Sequence, residues 1–118
     1  MGIVIKGLGS ATGTQEWYRN PLFAKAVYTE GVKMVADGGA AWLVTDILAQ
    51  VCCNPKLRDE PFLAIDWTCQ LGDKPAKVEY SDGDGMVLET QRYEFTDLEN
   101  RSIKFFYTDG CLMLSSEY

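Results

Sequence analysis

The stretch Phe62-Leu63-Ala64-Ile65-Asp66-Trp67-Thr68-Cys69-Gln70-Leu71 decides the fold class. Leu63, Ile65, Trp67, Cys69 and Leu71 fall on one side of an extended chain, and Ala64, Asp66, Thr68 and Gln70 on the other. Alternation with a period of two marks a half-buried antiparallel strand. Just upstream the period is different. Over 39–52, Trp42, Leu43, Ile47, Leu48 and Val51 recur at three- and four-residue steps, the apolar stripe of a helix, and Asn54-Pro55 closes it. The switch near position 60 predicts an α+β chain, with N-terminal helices packed on one face of a C-terminal antiparallel meander sheet of four to five strands.

Working outward, Gly72-Asp73-Lys74-Pro75 turns the chain into a strand near Ala76 to Tyr80. Ser81-Asp82-Gly83-Asp84-Gly85 turns it again, into one near Met86 to Tyr93. Ile103 to Thr108 and Cys111 to Ser115 flank the two residues Asp109-Gly110, the preferred chemistry of a type I′ hairpin. A two-residue loop sets the register: Tyr107 opposite Leu112 and Phe105 opposite Leu114 toward the helices, Phe106 opposite Met113 and Thr108 opposite Cys111 away from them. The outward set is unusually apolar. Phe62, Phe106 and Met113 are therefore expected to form an interface with an oligomer mate or protein partner.

In the first half, Thr12-Gly13-Thr14-Gln15 has the form of a capping box ahead of a short helix over Glu16-Trp17-Tyr18-Arg19, which Asn20-Pro21 stops. Pro21 can start another turn through Leu22 to Ala26. Thr29 is the expected N-cap of a helix from Glu30 to Ala36, ended by Gly38 or Gly39, and Asp37 the expected cap of the next. Adjacent helical residues point about 100° apart, so Trp17 and Tyr18 face different surfaces. A packing reading lays Trp17 on the sheet and Tyr18 and Arg19 over the next helix, with Arg19 paired to an acid. A functional reading has Trp17, Tyr18, Arg19, Tyr28, Thr29 and Glu30 line a cleft closed by Glu117 and Tyr118, suited to a planar or anionic ligand.

At 118 residues the chain amounts to one domain, 1–118, with 1–10 a candidate arm, and is long enough to fold without metal or disulfide. It carries a net charge of −6, and no segment offers the ~20 apolar residues of a membrane span. No signal peptide is evident, so a cytoplasmic location is expected. The acid is concentrated. Residues 1–59 hold six basic and five acidic side chains, residues 60–118 five and twelve. That sign repels phosphate backbones, so direct nucleic-acid binding is disfavoured, while imitation of nucleic acid against a basic partner is open.

Histidine is absent, which removes the commonest general base and every Ser-His or Cys-His nucleophile. Cys52, Cys53, Cys69 and Cys111 contain no CxxC pair, so buried free thiols are expected rather than zinc. Ile3 to Ser10 imitates the glycine-rich turn of a dinucleotide site, but the long helix and second parallel strand that should follow are missing. Asp82-Gly83-Asp84-Gly85 lacks the further ligands of a calcium loop and is better explained as a turn. No cofactor is expected. Carboxylates suffice for an acid-base enzyme, though nothing in the sequence brings two together.

The runs Gly13 to Arg19, Tyr28 to Val32, Gly38 to Leu43 and Phe106 to Tyr118 resemble an uncharacterised bacterial small-protein family, described only as a domain of unknown function. The sequence has Ser115 where that family has a proline, and Asn20 where a histidine is common. Members look like passengers of plasmids, phages and cyanobacterial genomes. The resemblance implies an interaction, inhibitor or anti-defence role and brings no activity with it. Three function classes follow: a binding protein acting by surface contact, a small-ligand binder using the aromatic and arginine cleft, and a carboxylate enzyme.

Overall fold

The computed structural model describes residues 5, 17–23, 25–69, 75–94, 96, 98 and 100–118. In chain order it contains β1 (Val27–Tyr28), α1 (Glu30–Val35), α2 (Ala41–Cys53), β2 (Phe62–Cys69), β3 (Ala76–Ser81), β4 (Val87–Tyr93), β5 (Ser102–Thr108) and β6 (Cys111–Leu114). The class is α+β.

Alternation in β2 is realised as expected, with Leu63, Ile65 and Trp67 buried and their neighbours half-exposed. The final hairpin holds the expected register at all four pairs, Phe105 with Leu114, Phe106 with Met113, Tyr107 with Leu112 and Thr108 with Cys111. Asp109 and Gly110 take φ of 53° and 72°, the left-handed pair that a type I′ turn requires. Asp82 organises the β3–β4 turn, its side chain accepting from the backbone N–H groups of Asp84 and Met86 at 2.9 Å. Leu71 and the turn expected over 72–74 lie outside the described residues, as does the capping box at 12–15.

Strand order departs from the expected meander of four to five strands. Six strands run β1-β6-β5-β2-β3-β4, antiparallel except for β1, which lies parallel to β6. After β4 the chain returns past β3 and β2, and β5 pairs with the far edge of β2. Matching inner faces account for this. Ile103 and Phe105 stand directly opposite Trp67 and Ile65, so the strand with the bulkiest apolar face acquires apolar neighbours on both edges. Trp67 also binds the return segment, its indole N–H donating to the Asn100 carbonyl at 2.8 Å.

Helix α1 starts where expected, with Thr29 accepting from the Val32 N–H. Its far end differs. Ala36–Ala40 form a wider turn that carries the chain through Gly39 at φ 115° into α2, so α2 begins at Ala41 without a side-chain cap. Asp37 does not cap it and pairs instead with Lys33, one turn back. Leu43, Val44, Ile47, Leu48 and Val51 bury the stripe against the sheet, and Trp42 meets Trp67 and Tyr93 edge-on, with ring centroids 5.9 and 5.4 Å apart. Ile5 joins the core, its backbone N–H and C=O both bonded by the Asn100 side chain.

A short helix at Glu16–Arg19 is not what the described part of that stretch forms. Tyr18 and Tyr28 exchange both backbone hydrogen bonds at 2.8 Å, an antiparallel bridge on the edge of β1, and Pro21–Phe23 form a 3-10 turn. Asn20-Pro21 leaves too few residues for a stable helical turn, and the open edge of β1 supplies partners that water would otherwise provide.

Candidate functional site: the outer face of the sheet

Among the described residues the helices cover one face of the sheet, and the registers place the side chains of the other face in four rows. Row one is Phe62, Thr108, Cys111 and Val27. Row two is Val87, Ser81, Ala64, Phe106 and Met113. Row three is Thr90, Glu79, Asp66 and Lys104, and row four is Arg92, Lys77, Thr68 and Ser102. Polarity changes between rows two and three. The first two rows are dominated by apolar side chains, and the last two hold only polar and charged ones.

Aromatic packing concentrates at the apolar end. Phe62 and Phe106 lie 5.1 Å apart, and Tyr118 meets both edge-on, at 5.8 and 5.2 Å. Trp17 comes near row one at Cys111. Burial, followed by the charge of Glu117, still pushes the Cys111 thiol up, with Trp17 acting in the opposite direction. Tyr118 is 71% exposed, Met86 66%, Trp17 58% and Val87 50%, so large apolar side chains meet water from one edge of the sheet to the other. A continuous band of this kind is uncommon on a surface that is merely solvated. Lys104 lies 5.8 Å from the Phe106 ring centroid and marks the boundary with the charged rows.

The rim is acidic. Glu60 precedes row one in the chain, Asp109 sits in the turn beside it, and Asp82 and Asp84 flank Gly83, where an added Cβ would lie 3.9 Å from the Phe62 ring. At the charged end, by contrast, Lys77 and Glu79 pair at 3.2 Å.

Residues assigned to a cleft divide between two settings. Trp17 is not laid flat under the helices, and it joins Tyr118 on the outer-face band. Tyr18 stacks on Tyr28 at 5.8 Å, with the Lys33 ammonium 5.2 Å from its ring. Arg19 is exposed. Thr29 and Glu117 hold each other: the Thr29 hydroxyl donates to Glu117 Oε1 at 2.6 Å, and the same oxygen accepts from the Leu114 N–H at 2.9 Å. Glu117 Oε2 accepts from the Gly31 N–H at 3.2 Å. Any side chain at position 31 would collide with this carboxylate and with Leu114, which requires glycine there. Glu117 is thus a latch between β6 and the start of α1, and Glu30 sits half-buried beside it.

Sequence periodicity located Phe62, Phe106 and Met113, but not the contribution of Trp17, Tyr118 and Val87 to the same band. Trp17 and Tyr118 arrive from outside the named strands, and Val87 faces outward because the β3–β4 ladder shifts register between Tyr80 and Ser81. Among the described residues, no three Cys, Asp or Glu side chains are grouped as a metal site would need, and no buried side-chain N or O lacks a hydrogen bond. No described helix is long and apolar enough to cross a membrane.

No curated protein and no solved structure matches this sequence. Residues 3–118 match the family of unknown function DUF6876, and the chain belongs to that family.

Proposed function

We infer that the protein is a binding module that acts by surface contact, docking a basic protein segment on the apolar end of the outer face. The observation that carries this reading is the register itself, which gathers Phe62, Phe106, Met113 and Val87 into adjacent rows, joined by Trp17 and Tyr118. Apolar and aromatic side chains supply the desolvated centre that binding energy depends on. Charge selects the occupant. A chain of net −6 whose patch is rimmed by Glu60, Asp82, Asp84 and Asp109 would repel a second copy placed face to face, whereas arginine and lysine side chains can meet the rim and stack over the rings. Lys104 over Phe106 is an intramolecular example of that contact. An inhibitor role on a mobile element is consistent with this mode, since occluding a basic surface requires no catalysis.

The test uses Trp17, the exposed indole, as reporter. Titration of the full chain with a peptide alternating arginine and leucine should shift and saturate its emission, and Phe106→Asp should weaken binding by at least about tenfold, as expected for loss of a central anchor. An equally long peptide alternating glutamate and leucine serves as the charge control. Equal binding of both peptides, or no effect of Phe106→Asp, would sink the reading. A dimeric mass in sedimentation at low micromolar concentration would assign the band to self-association instead.

A further inference from the structure

On the helix side of the sheet, away from the aromatic band, a cavity of about 300 Å³ opens between the end of α2 and the β5–β6 hairpin. Lys25, Val51, Cys52, Arg58, Asp59 and Tyr107 line it. Its chemistry is unusual for so acidic a chain. Lys25 makes no ion pair among the described residues, while Lys33, Lys56 and Lys77 each do. Among the described residues Arg58 pairs only with Asp59, at 4.0 Å, and the Asp59 side chain is 90% exposed, so water screens most of that attraction. Two cations from different segments therefore share one concavity with a single lining carboxylate, the largely exposed Asp59.

The other two polar groups favour the same ligand. Tyr107 faces the helix side, opposite Leu63 and Leu112, and burial keeps its hydroxyl protonated and able to donate. Burial, then the neighbouring Cys53, raises the Cys52 thiol, which stays neutral although the charge of Lys25 pulls the other way. Among the described residues the one carboxylate lining the cavity, Asp59, is too exposed to neutralise both cations. Lysine, arginine and a phenol offer donors from three sides, which suits the diverging oxygens of a phosphate better than the two coplanar oxygens of a carboxylate. The volume lies at the lower end of small-molecule pockets and leaves room beyond the charged group.

We propose that this cavity binds a small phosphomonoester, its phosphate held between Lys25 and Arg58 with Tyr107 as a neutral hydrogen-bond donor. The site is independent of the outer-face band.

Cys52 reports on occupancy, and the exposed Cys53 beside it is the internal reference. The full chain is alkylated with iodoacetamide at increasing phenyl phosphate, benzoate or inorganic phosphate, and modification of each cysteine is read by peptide mass spectrometry. Phenyl phosphate should slow Cys52 about tenfold at a concentration about ten times its Kd and leave Cys53 unchanged. K25A/R58A should abolish that protection, while Lys104→Ala, on the opposite face, should retain it. Circular dichroism of the double variant checks that the fold is intact; both side chains are exposed, so it should match wild type. Absence of protection by phenyl phosphate, equal protection by benzoate, or full protection in the double variant would each overturn the assignment. Protection by inorganic phosphate at the same Kd as phenyl phosphate would overturn the monoester and leave a bare-ion site.

Discussion

The two ends of the sheet's outer face stand on the same strands, yet one is aromatic and the other charged. Phe106 and Lys104 are two residues apart in β5, and Phe62 and Asp66 four apart in β2. The helix-facing side shows no such division, because Leu63, Ile65, Trp67, Ile103 and Phe105 are buried along its length. Folding therefore explains these inner-face side chains, whereas the outer face carries apolar area at one end that folding does not use. Unused apolar area confined to one end is the feature that supports the proposed contact surface.

Several substitutions separate the two faces and the two ends. The largest effect is expected inside: Phe105→Ala should cost about 3–5 kcal/mol in urea unfolding, because it opens a cavity at the centre of the sheet. Its outer neighbour Phe106→Ala should cost clearly less than Phe105→Ala while weakening the arginine-leucine peptide about tenfold or more. Similar stability losses at the two positions would erase the distinction between the faces. Glu117→Gln should cost about 1–3 kcal/mol, since an amide has a single accepting oxygen and would set its NH2 group against a donor that the carboxylate now accepts from. Gly31→Ala tests the same latch, and a combined cost below the sum of the two would show that they share it.

Alkaline titration sharpens the contrast through the inner face. Burial raises Tyr80 and Tyr93 above the ordinary 10.0, and for Tyr93 the hydrogen bond to Asp46, at 2.9 Å, adds to the effect. Above pH ~10 the unfolded chain loses these protons first, so the folded state's advantage is complete below that pH and declines as pH rises. Tyr93→Phe should flatten the decline, and an identical slope in the variant would rule out Tyr93 as a contributor. The smallest effect belongs to the charged end. Glu79→Gln, which breaks the exposed pair with Lys77, should change stability by no more than about 0.5 kcal/mol and leave peptide binding unchanged.

Much of this was legible from local pattern. The period of two in β2, the Asp109-Gly110 loop with its four paired residues, the Thr29 cap and the apolar stripe of α2 depend on neighbours within a few positions, where backbone geometry leaves little choice. Trp17 shows the opposite case. Its segment was expected to be helical, but Tyr18 pairs with an edge strand only two residues long, a partner that no local signal announces. The Lys25 and Arg58 cavity was equally hidden, because its lining comes from separate segments of the chain.

By itself the sequence determined the α+β class, the helix-facing residues of the strands and the last hairpin, since side-chain alternation and turn chemistry are properties of adjacent residues. Only the tertiary structure decided that β5 crosses to the free edge of β2, that Glu117 closes onto the start of α1, and that Tyr118 extends the Phe62 and Phe106 patch. Those outcomes rest on which distant surfaces fit when packed together. That comparison is made only once the whole chain has folded.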